Sequence, residues 1–107
     1  MATYFGNIEV YFVNVLSPNP YAGRRLMNVR GSFGKAILWF MPNGSTLPAN
    51  RKRSGQNVFD VYYHMDAWEA ILDVLRNEKP VFFSFHDTNN AAQIYTGEEP
   101  VGEGEDI

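Results

Sequence analysis

Apolar residues in this chain recur mostly at every second position, the spacing of β-strands rather than helices. From Ile8 onward, Ile8, Val10, Phe12 and Leu16 share one face, and Glu9, Tyr11, Val13 and Val15 share the other. This predicts a long first strand over residues 8–16, ended by Ser17-Pro18-Asn19-Pro20 and followed by a loop from Tyr21 to Arg25. A short strand is expected over 26–30, with Gly31-Ser32-Phe33-Gly34 as the hairpin turn into a buried strand over 35–41. Pro42-Asn43-Gly44-Ser45 breaks that strand, and a long loop continues through Pro48 and Arg51-Lys52-Arg53 to Ser54-Gly55. β-Branched and aromatic residues then predict strands over 58–63, 81–86 and 92–96.

One stretch changes period. Trp68, Ile71, Leu72 and Leu75 fall at i, i+3, i+4 and i+7, which places one apolar stripe on a helix over 66–77. Asp66 followed by Glu69 has the spacing of a capping box, so Asp66 is the expected cap, and Lys79-Pro80 marks the stop. The chain thus reads as a mainly β (α+β) domain, a small five- to six-stranded antiparallel barrel or strongly curved sheet. Its order is OB-like, β-β-β-α-β-β, with a single helix near 66–77. An open antiparallel sheet with the helix on one face fits the same string. Residues 1–97 are expected to form a single compact domain and residues 98–107 an acidic flexible tail.

Composition narrows the chemistry. At 107 residues and 45% hydrophobic, the chain can bury a core without metals or disulfides. It has no cysteine, which excludes a disulfide framework, a thiolate nucleophile and a cysteine zinc site. No cofactor or metal is expected. The first residues lack a basic n-region and no apolar run approaches the roughly 20 residues of a membrane span, so the expectation is a cytoplasmic protein with no membrane partner.

Charge is unevenly distributed. The net charge is −3, yet no acidic residue lies between Glu9 and Asp60, where seven of the nine basic residues fall. Glu98, Glu99, Glu103, Glu105 and Asp106 give the tail five acids and no base. Cationic loops beside aromatic side chains suit single-stranded DNA or RNA, the bases stacking while the cations neutralise phosphates. The candidate site is therefore Arg24, Arg25, Arg51, Lys52 and Arg53, with Tyr21, Phe33 or Tyr62 as stacking platforms, in a small non-enzymatic binding module. A second reading is a protein–protein interaction or homo-oligomeric structural domain, since strand faces this apolar can exceed what one helix covers. A third is a small ribonuclease-like enzyme using His64, His86, Asp60, Asp66 or Asp87; the two histidines have no spacing that supports metal binding or a triad, so it ranks last.

Overall fold

The computed structural model describes residues 2–17 and 24–97. The strands are β1 (Thr3–Val15), β2 (Arg25–Gly31), β3 (Gly34–Met41), β4 (Arg51–Lys52), β5 (Val58–His64), β6 (Val81–His86) and β7 (Ala91–Thr96). A 3-10 turn, Met65–Ala67, leads into the helix α1, Trp68–Asn77. The seven strands form one sheet in the order β4-β5-β3-β2-β1-β6-β7, curled into a half-barrel, with one α-helix among the described residues. The mainly β, barrel-like class expected from the sequence is the class observed. Two features of the sheet go beyond the expectation: β4 is a seventh strand, and β3 and β5 run parallel, so the sheet is mixed. A parallel pair needs a crossover of a dozen or more residues. Residues 42–57, the unusually long loop, supply it.

Strand β1 joins the two halves of the sheet. Its first part pairs with β6, from Thr3 opposite His86 to Asn7 opposite Phe82. Its second part pairs with β2, from Val10 opposite Arg30 to Val15 opposite Arg25, after a bulge between Ile8 and Val10. The bulge bends the strand and lets it change partners. At the crossing Gly31 lies so close to Asn7 that a Cβ would overlap the Asn7 carbonyl oxygen.

The core fills the concave side. Phe59, Phe83, Phe85, Phe40, Met27, Val29 and Leu38 are fully buried there. Phe59 on β5 packs on Phe85 of β6 at a centroid distance of 5.1 Å, although three strands lie between them in the sheet. Only the curl brings them together. Burying each such ring contributes about 1.5–3 kcal/mol. Asn50 Nδ2 donates to the Asn90 carbonyl at 3.1 Å and so links the β4 side of the sheet to the β6–β7 turn. The helix packs into the other end, with Trp68 edge-on to Phe40 at 4.9 Å.

The helix is capped differently from the expectation. Asp66 makes no side-chain capping bond to α1. Asn43, in the loop after β3, accepts the Asp66 backbone N–H on Oδ1 at 2.9 Å. A short turn precedes the helix proper, so Asp66 lies inside it and its own N–H needs a partner. No helix among the described residues is long and apolar enough to cross a membrane.

Candidate nucleic-acid interface

Among the described residues no helix or further strand covers the convex face of β1, β2, β3, β5 and β4, and its side chains follow from the register. One row runs Phe12, Asn28, Ile37, Asp60, Arg51. A second runs Asn14, Leu26, Trp39, Tyr62, and a third Val10, Arg30, Lys35, Val58. Alternation along each strand sends these side chains outward while their neighbours fill the core.

Asp60 is the hub of this face. Its side chain is 1% exposed and accepts four hydrogen bonds. Trp39 Nε1 donates to Oδ1 at 3.1 Å, Arg51 Nε to Oδ2 at 3.0 Å, and Arg53 to both oxygens, from Nε at 2.9 Å and Nη2 at 3.0 Å. Burial alone would raise the Asp60 carboxyl, but these hydrogen bonds and the Arg53 charge outweigh it and hold the pKa at about 2. The same bonds raise the Arg53 guanidinium above its ordinary value. Arg51 and Arg53 are thereby fixed in position, and Arg51 stays 64% exposed beyond its one bond.

Trp39 stacks on Tyr62, ring centroids 6.4 Å apart and planes 14° from parallel. Both rings are half-buried, so each keeps surface open to solvent. Arg30 and Lys35 face each other across β2 and β3 on the same side of the sheet. The register thus puts Arg30, Lys35, Arg51 and Arg53 on one face, with Arg51 and Arg53 against the sunken Asp60 carboxylate and the Arg30–Lys35 pair two rows from the stacked aromatics.

The residues singled out from the sequence divide between the two faces. Arg51, Arg53 and Tyr62 lie outward together. Lys52, between the two arginines, points the other way and sits 5.4 Å over the Tyr4 ring. Arg25 also lies on the concave side, 5.4 Å over Trp68. Arg24 directly precedes β2. Tyr21 lies outside the described residues. Phe33 is a core residue rather than a surface platform: it is 5% exposed, and the hairpin tip turns its ring inward against Phe83 at 4.7 Å and Phe59 at 6.4 Å. Arg30, Lys35 and Trp39 are the members of the face left out of the sequence-derived set. The signal for them was the period of two, which puts Arg51 with Arg53, and Trp39 with Ile37, on one side of their strands.

The residues of the catalytic reading have separate structural bonds. His64 Nε2 donates to the Ser45 carbonyl at 2.7 Å, His86 Nδ1 is bonded to Thr3 Oγ1 at 3.0 Å, and Asp87 accepts the Ala2 backbone N–H. Among the described residues no group of three or more His, Cys, Asp or Glu could hold a metal ion. Comparison with protein-family models, with curated proteins and with solved structures finds no match.

Proposed function

We propose that the convex sheet face binds single-stranded nucleic acid, in a non-enzymatic module. The observation that carries this reading is the placing of four cations on the face that carries the Trp39–Tyr62 stack, Arg51 and Arg53 joined to Trp39 through Asp60 and Arg30 and Lys35 two rows along, with Asp60 as the one acid in the three rows. A flexible polyanion laid across the strands places phosphates near Arg30, Lys35 and the outer edge of Arg51, while a base stacks on the exposed part of Tyr62 or Trp39. An open sheet face suits an unpaired strand, because a duplex hides the base faces such stacking needs. Asp60 offsets one of the two guanidinium charges it orients, so the face keeps a net positive charge of about three from Arg30, Lys35 and the Arg51–Arg53 pair.

The test is a fluorescence titration with single-stranded DNA and RNA oligonucleotides at two salt concentrations. Quenching that weakens steeply as salt rises is the expected result. No quenching at low salt, or binding indifferent to salt, removes the proposal.

A further inference from the structure

The second half of β1 is an edge strand whose one protecting irregularity is the bulge at its start, between Ile8 and Val10. Past Asn7 its pairing with β6 ends, and among the described residues Val10 to Val15 pair only with β2. Edge strands are ordinarily blunted by charge, proline, bulges or shortness, and past its bulge this one has none of the others. This stretch, Val10-Tyr11-Phe12-Val13-Asn14-Val15, carries no charge and no proline. The exposed large hydrophobic residues of the described fold all lie on β1: Val10, Phe12, Val13 and Val15 here, and Phe5 nearer the start. A groove of about 550 Å³ opens beside the same edge, between Asn7–Tyr11 and the end of the helix with the start of β6.

We propose that this edge pairs with the same edge of a second copy, making a two-fold dimer with one continuous sheet. One observation favours a second copy as the occupant, and two consequences of such a pairing agree with it. An uncharged segment calls for an uncharged partner, and this chain carries one of matching length in the segment itself. A two-fold axis perpendicular to the sheet keeps each face on its own side, so residues pair with an even sum of numbers and Phe12 meets Phe12. In that register Val10 lies opposite Asn14, Tyr11 opposite Val13, and Glu9 opposite Val15 of the second copy, so the nearest carboxylates avoid each other. Finally, the register carries Val13 and Val15 of the second copy alongside Tyr11 and Glu9, where the groove provides the room. The pairing joins the convex faces, setting the Arg30–Lys35 row of one copy in line with the Trp39–Tyr62 row of the other. The dimer stands on the edge itself and does not depend on what the convex face binds.

Sedimentation equilibrium of the whole chain over a wide concentration range, without nucleic acid, tests it together with a charge swap at Phe12. The chain is expected to reach twice its monomer mass. Phe12→Lys and Phe12→Glu are each expected to be monomeric at those concentrations, and an equimolar mixture to regain the dimer. Phe12 is 46% exposed, so the fold should tolerate both, as circular dichroism will show. Because the chain has no cysteine, Phe12→Cys gives an independent readout: a short bismaleimide should link two copies at that position alone. A chain that stays monomeric, a dimer indifferent to Phe12→Lys, a mixture that stays monomeric, or a Phe12→Cys variant that does not cross-link overturns the proposal.

Discussion

Arg53 grips both carboxylate oxygens of Asp60, through Nε at 2.9 Å and Nη2 at 3.0 Å. Together with Arg51 and Trp39 it keeps a nearly inaccessible carboxylate ionised, and this has a consequence for stability in acid. The folded pKa of Asp60 is about 2 against an ordinary 3.8, so between those values the unfolded chain binds the proton that the folded chain refuses. The contribution is fully present above about pH 4 and is lost as pH falls towards 2, amounting to about 2 kcal/mol. Asp60→Asn should therefore be less stable than the parent near neutral pH, and the gap should narrow in acid. Urea melts of both proteins at pH 7 and pH 3 measure it.

Asn43→Ala should cost about 1 kcal/mol, because it strips the acceptor from the Asp66 N–H at the start of the helical segment. Asp66→Ala should cost less than half as much, since that side chain caps nothing. Thermal unfolding of the two variants separates the loop-borne cap from the one the sequence suggested.

Nucleic-acid affinity should depend on which face a cation occupies. Arg30→Ala with Lys35→Ala should lower the slope of log affinity against log salt by about 1.4, from roughly 0.7 per phosphate contact on a single strand. Lys52→Ala, on the opposite face over Tyr4, should leave the slope nearly unchanged. Titrations at several salt concentrations give both slopes.

Phe33→Ala should behave as a core deletion and cost about 3–5 kcal/mol, whereas a surface platform would cost almost nothing. Chemical denaturation with and without oligonucleotide tells the two apart.

Period and propensity made much of this fold legible. The Gly31–Gly34 turn, the apolar stripe of Trp68, Ile71, Leu72 and Leu75, and the inward set Val81, Phe83 and Phe85 all follow from local chemistry. The rest depends on partners distant in sequence. Asn43 caps a turn 23 residues later, and nothing near Asp66 announces it. The β3–β5 pairing is parallel because the chain crosses over between them, a choice that strand patterns do not encode. Phe33 turns inward because the curl leaves a space beneath the hairpin, and turn residues otherwise tend to face water. At the site, Arg51-Lys52-Arg53 reads as one basic run along the chain, but β-alternation deals the three side chains to opposite faces.

The divided pairing of β1 also orders events during synthesis. Its second half can join β2 and β3 as soon as residue 41 has left the ribosome, since both partners follow closely. Thr3 to Asn7 must wait for residues 82–86, some eighty positions later, before their ladder can exist. Until then the nascent chain holds half a strand unclaimed, and the ladder that brings β6 and its phenylalanines onto β1 joins two segments far apart in sequence.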